Sequence, residues 1–418
     1  MDIGLLHNKR ITNIGDDIQA YAVARLLPRV DRMVDRENMH TDAHFNNKPT
    51  ATVMAAWFMG KKWEWPPADC LRPLFTSFHY TDFESYPLRY LRSSYEYITG
   101  PGADYLRSWG PIGCRDLFTM EQLQARGIEA YFSGCVTLTL PQQPTTADAK
   151  KYVCAVDVTA PVEKKIRQIY EGSGLEVRKM THLTTPSDNS KFSDRSKAVE
   201  ALLTTYQNAY CVITRRLHVA LPCLAMGTPV ILVNNNMHPS RFRPYSDWIP
   251  HMTPEEFLER DVADMLLNPK PNSEAHLPYR EALIKQIREF GEKAAAAEDI
   301  QPRSPIPYTE LDYLRWHHDV MEENLLRWYK ESKDLVHQID ELKANNAQLK
   351  KKLKSANIKV KKYKVFSEAY QQETEEAARL QMADAFAENF RVTPPVEKAP
   401  EKVEEKQGFT AWLKQLFR

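Results

Sequence analysis

Two arginines and a histidine break an otherwise apolar run, CVITRRLHVALPCLAMGTPVILV, at residues 211–233. The β-branched CVIT reads as a buried strand, LHVALPCLAMG as a helix stopped by Gly227, and PVILV as the next strand, so Arg215, Arg216 and His218 fall in a strand-to-helix turn. Packing gives no reason for cations there. A helix start attracts anions through its unpaired amides, and an adjacent guanidinium can grip a phosphate or carboxylate with two parallel hydrogen bonds. An imidazole in the first helical turn can exchange protons near neutral pH.

Two further groups have chemistry to offer. In NKRITNIGDDIQAYAVARLL, the residues Asn13, Gly15, Asp16 and Asp17 lie in the loop after the opening strand, where a paired acid could deprotonate an acceptor hydroxyl. Asp16 followed by Gln19 also fits a capping box, a purely structural use. In ITGPGADYLRSWGPIGCRD, Gly100 and Gly102 form a glycine turn that would let backbone approach a ligand or serve only a tight turn, and Arg115 precedes Asp116, an expected helix cap. Neither GxGxxG nor GxxxxGK[ST] occurs in these stretches.

Short apolar runs alternating with helical patterns must position these groups. DIGLL, TVMAAWFM, LFTSFHY, YEYIT and EAYFSG read as strands; IQAYAVARLL and LFTMEQLQARG read as helices. PQQPTTADAK, residues 141–150, reads as a hinge, after which YVCAVDV, LEVRKMTHL, CVIT and PVILV alternate with three helical segments. Alternation of this kind predicts two parallel-sheet α/β domains, 1–142 and 143–310, with a cleft at the carboxyl ends of their strands.

Composition narrows the function. With 56 basic against 55 acidic residues in 418, net charge +1, the chain lacks the basic excess of a nucleic-acid binder. Six scattered cysteines without CxxC spacing read as packed thiols in a reducing compartment, with no structural zinc. No signal-like leader and no run of about 18 apolar residues is expected, which points to a cytoplasmic protein that spans no membrane.

Beyond residue 310 the pattern changes. Leu335, Ile339, Leu342, Asn346, Leu349, Leu353, Ala356, Val360 and Tyr363 alternate four and three apart, a heptad seam with Asn346 at an a position, so 311–390 reads as a long helix or coiled coil able to pair copies of the chain. The lysines of 343–364 read as a solvated face. Residues 391–407 read as a disordered linker. In 408–418, Phe409, Trp412, Leu413, Leu416 and Phe417 make one apolar helical stripe, a membrane-surface anchor on the inner face of the cytoplasmic membrane or a docking peptide.

NIGDDIQAYA, GPIGCRDLFTMEQLQARGI, YFSGCVTLTL and ITRRLHVALPCLAMGTPVILV, in this order over about residues 1–250, resemble the polysaccharide pyruvyltransferase family. The resemblance implies two Rossmann-like domains arranged as in GT-B glycosyltransferases, and transfer of pyruvate from phosphoenolpyruvate (PEP) to a sugar as a ketal. It carries the family's Arg-x-His onto Arg216 and His218 as donor-binding and catalytic positions. Where many members read Gly-Asp-Pro this chain has Gly134, Cys135 and Val136, which removes the acid from that turn. The combined expectation is that Arg115, Arg215 and Arg216 hold PEP, His218 is the general acid, Asp16 or Asp17 the acceptor's base, and Asn13, Gly100 and Gly102 line the acceptor side, with no metal or cofactor and with a lipid-linked sugar as acceptor. A glycosyltransferase using a nucleotide sugar, or a membrane-tethered scaffold, would fit the same architecture.

Overall fold

The computed structural model describes residues 1–8, 12–40, 48–59, 61, 64–80, 97–183, 191–235 and 242–389. The linker and terminal stripe expected over 391–418 lie outside them.

The first sheet has the order β2-β1-β3-β5, all parallel: β1 Asp2–His7, β2 Arg32–Asp35, β3 Thr50–Val53 and β5 Leu71–Leu74. Two short parallel pairs follow, β4 Trp57–Phe58 with β6 His79–Tyr80 and β7 Ile112–Cys114 with β8 Ala130–Phe132. TVMAAWFM is therefore two strands. The second sheet, β10-β9-β11-β12-β13, is also parallel, with β9 Tyr152–Val156, β10 Glu176–Met180, β11 Val212–Thr214, β12 Val230–Val233 and β13 His251–Met252. Every residue of β9 and β12 is buried, as helices on both sheet faces require of continuous apolar strands.

The helices are α1 Gly15–Ala24, α2 Gly100–Trp109, α3 Leu117–Gln124, α4 Ala160–Tyr170, α5 Phe192–Asn208, α6 Leu217–Met226, α7 Pro254–Glu259, α8 Ala263–Leu267, α9 Leu277–Ala295 and α10 Glu310–Asn389. No helix of the described residues is long and apolar enough to cross a membrane.

Three readings are corrected. Tyr97–Thr99 form a turn rather than the end of a strand, and the glycine turn is the start of α2, which the sequence reading missed. Gly-Pro-Gly looks like a helix breaker, yet proline is accepted in the first helical turn, where its missing N–H has no partner to lose. Asp16 does not cap α1: Ile14 occupies that position without a side-chain cap, and Asp16 bonds Arg36 instead at 2.8 Å. Asp116 does cap α3, accepting from the Thr119 amide at 2.8 Å, while its other oxygen meets His79 Nδ1 at 2.5 Å.

Residues 1–332 make one compact unit, and the described residues from 333 onward belong to another. One core explains the first: Ile3, Leu5 and Ile18 share an apolar cluster with Cys154, Val156, Leu217 and Val219, so both sheets close over α1, α5 and α6. The segment expected as a hinge is tied to α5, because Asn208 donates to the Pro144 carbonyl at 2.8 Å and accepts from the Thr146 amide at 2.9 Å.

Candidate active site

β11 ends at Thr214, whose hydroxyl accepts from the Arg216 amide at 2.9 Å and shapes the turn into α6. Arg215 is exposed, and its carbonyl accepts from Asn234 at 2.9 Å. Arg216 is half-buried. Its Nε donates to Asp157 Oδ2 at 2.9 Å, just past the end of β9. Asp157 holds a left-handed backbone, φ 52°, rare for a residue with a side chain, and is fastened by Thr181 Oγ1 at 2.7 Å and the His182 amide at 3.0 Å. Burial alone would raise the Asp157 carboxyl, but those two hydrogen bonds and the Arg216 guanidinium outweigh it and hold its pKa low.

The start of α1 faces this turn. Asn13 Oδ1 accepts from the Gly15 amide at 3.0 Å. A Cβ on Gly15 would stand 2.8 Å from His218 Nδ1 and 3.2 Å from its Cβ, so only glycine lets the imidazole lie against α1. On the other ring edge, Arg115 Nη1 lies 3.3 Å from His218 Nε2 and donates to Gln19 Oε1 at 3.1 Å. Gln19 is fixed in turn by donating to the Ala55 carbonyl at 3.2 Å. Because a guanidinium can only donate, His218 Nε2 is an acceptor in this arrangement, and its ring proton belongs on Nδ1.

Arg115 is 1% exposed, its Nε has no hydrogen-bond partner, and it makes no ion pair among the described residues. Buried charges are normally paired, since desolvation costs several kcal/mol. Arg36 obeys the rule with Asp16 and Glu37; Arg115 does not. Arg115 is thus a buried cation that touches an imidazole, with no ion-pair partner among the described residues and only the longer-range attraction of Asp116.

The remaining expected residues are distributed otherwise. Asp17 is ion-paired with Arg195 of α5, and burial raises its pKa although Arg195 opposes the rise. Both acids of α1 are thus committed to arginines. Gly100 and Gly102 do not join the cluster: a Cβ on Gly100 would meet the Trp316 indole at 3.0 Å, and one on Gly102 would overlap the Tyr97 carbonyl beside Trp65, so packing explains both. Cys135 is buried, and burial raises its thiol pKa.

Asp157, Arg195 and Tyr245, whose hydroxyl donates to the Arg115 carbonyl, were not singled out from sequence, and Gln19 was read only as a capping partner of Asp16. Asp157 carried a signal, a lone acid closing the YVCAV strand at the cleft end; the others depend on helix register and long-range packing.

His182, fully buried behind Asp157, hydrogen-bonds Tyr206 at 2.9 Å. Burial lowers its pKa from 6.5 to about 4, with Asp157 opposing and Arg216 assisting. The unfolded chain therefore takes up this proton first as pH falls, so the stabilisation is complete above 6.5 and lost on descent toward 4. Urea unfolding at pH 7 and pH 4.5 is expected to differ by about 2 kcal/mol more in the wild type than in His182→Gln. Equal pH slopes would show that His182 does not titrate in this way.

Residues 102–237 match the family model described as polysaccharide pyruvyl transferase. No curated protein matches the chain. Among solved structures, the chain is similar to a putative UDP-N-acetylglucosamine 2-epimerase from Listeria monocytogenes, at 11% identity and TM-score 0.43, over 73% of this chain and 99% of that one. It is also similar to an uncharacterized protein from Klebsiella pneumoniae, at 12% identity and TM-score 0.35, over 60% and 93%. The UDP-GlcNAc 2-epimerase of Methanocaldococcus jannaschii gives 10% identity and TM-score 0.36, over 71% and 99%.

Proposed function

We infer that this chain, whose residues 102–237 belong to the polysaccharide pyruvyl transferase family, transfers pyruvate from PEP to two hydroxyls of a sugar in a polysaccharide precursor. The observation that carries the donor assignment is the unpaired, buried Arg115 in contact with His218. PEP bears a phosphate and a carboxylate on one small enol, so it needs two cationic contacts close together. Arg115 has unused donors, and Arg216 engages Asp157 through Nε alone, which leaves its terminal nitrogens for a second anionic group.

In this reading, an arriving phosphate or carboxylate takes Arg115, relieves His218 of a neighbouring positive charge and favours an imidazolium. His218 then gives a proton to C3 of the enol, which becomes a methyl group, while C2 gains oxocarbenium character. One sugar hydroxyl bonds to C2, the C–O bond to phosphate breaks with its electron pair, and the second hydroxyl closes the ketal. Of the two protons released by the hydroxyls, one restores His218 and the other leaves with phosphate. Asp16 and Asp17, held by Arg36 and Arg195, act as supports that fix α1 rather than as free bases. A lipid-linked acceptor rests on the Phe409–Phe417 stripe, which would hold the enzyme at a membrane surface and raise its local concentration there.

Calorimetric titration with PEP, UDP-sugars and GDP-sugars tests the donor. PEP is expected to bind, and Arg216→Ala to weaken it by about 10- to 100-fold through loss of a charge-assisted contact. Binding of a nucleotide sugar with no response to PEP would replace this reading by glycosyl transfer.

A further inference from the structure

The first turns of α10 carry two apolar faces. On one, Tyr313, Trp316 and Val320 are buried, with the partly buried Tyr308 packed against them: Tyr313 lies tilted against His40 at 4.6 Å between ring centres, and Trp316 closes on Gly100. With Ile339 at position a of the heptad, these three occupy c, f and c, the side of a helix opposite an a/d seam. The a and d positions of the same turns hold Leu311, Leu314, Met321, Leu325 and Trp328, each 42–67% exposed. They are in phase with the Leu335–Tyr363 heptads, whose large apolar members are 43–70% exposed. One seam therefore starts at Leu311, more than three heptads before the run recognised from sequence, and among the described residues the compact unit buries the opposite side of its first turns while leaving these seam residues 42–67% exposed.

We propose that this seam pairs with the same seam of a second copy, parallel and in register, from Leu311 to Tyr363. The polar seam residues argue for an identical partner. His318, Ser332 and Asn346 all fall at a positions, each two heptads from the next. In-register parallel pairing sets each against its own copy. A one-heptad slip sets each against an apolar a residue, and the antiparallel alignment with full overlap sets Asn346 against Trp328, Ser332 against Leu342 and His318 against Ala356. Burying an amide or imidazole against hydrocarbon leaves its hydrogen bonds unmade, whereas paired asparagines at an a position satisfy one another and fix a two-stranded register. Of the e and g pairs after Asn346 in this register, only Lys359 facing Lys364 joins like charges. Fully burying an aliphatic side chain removes roughly 60–120 Å² of apolar surface, so the seam's half-exposed large side chains supply roughly 400–700 Å² per chain, approaching the roughly 800 Å² of a stable partner before the flanking stems are counted.

The test uses the full chain in 0.3 M NaCl, where lysine repulsion is screened. Its mass by light scattering is expected to be twice 48.4 kDa. All six native cysteines are buried, so Asn346→Cys adds one exposed thiol. With copper phenanthroline in air it is expected to form a disulfide-linked dimer, while Ala344→Cys, at the outward f position, stays uncross-linked. Leu325→Glu combined with Leu342→Glu is expected to halve the mass while leaving PEP binding unchanged. A monomeric wild type, a dimer in which Asn346→Cys fails to cross-link, or equal cross-linking at 344 and 346 would each overturn the proposal.

Discussion

Arg115→Met is expected to lower kcat/KM for PEP by about 10²- to 10³-fold, the usual loss when one donor to a reacting anion is removed from a buried site. The same substitution is expected to leave the unfolding midpoint unchanged or raised. Methionine fills similar volume, and the change removes a buried charge that has no ion-pair partner among the described residues, only the longer-range attraction of Asp116. The combination is diagnostic. A structural arginine, such as Arg36 with its two acidic partners, would show the opposite pattern on substitution, a fall of about 3–5 kcal/mol in stability. Steady-state kinetics with PEP and scanning calorimetry on one preparation distinguish the cases: loss of stability with activity retained would remove the anion site from Arg115.

His218→Asn is expected to lower kcat by about 10²- to 10⁴-fold, the span attributable to a positioned general acid, with KM for PEP changed only a few-fold because Arg115 and Arg216 remain. Asparagine preserves polarity against Gly15 and can still accept from Arg115, so the fall reports proton transfer more than collapse of the turn. Near wild-type turnover in the variant would move the acid to another group.

The sequence by itself determined the α/β alternation, both parallel sheets, the strand-to-helix turn that holds Arg216 and His218, and the long helix after residue 310. These are local facts: β-branched runs bury as parallel strands, polar residues at strand ends are forced to the sheet's carboxyl edge, and a heptad repeats whatever surrounds it. Tertiary structure alone decided which candidates act together. Asp16 and Asp17 looked like available bases until Arg36 and Arg195, 20 and 178 positions away, claimed them, and Gly100 and Gly102 looked like a ligand turn until Trp65, Tyr97 and Trp316 filled the space around them. Arg115 was suspected as a cation from its loop, but its burial against His218, 103 positions on, without an ion-pair partner among the described residues could not be read from spacing. Whether a charge is paired depends on every chain segment that folds over it, and no window of sequence contains them all.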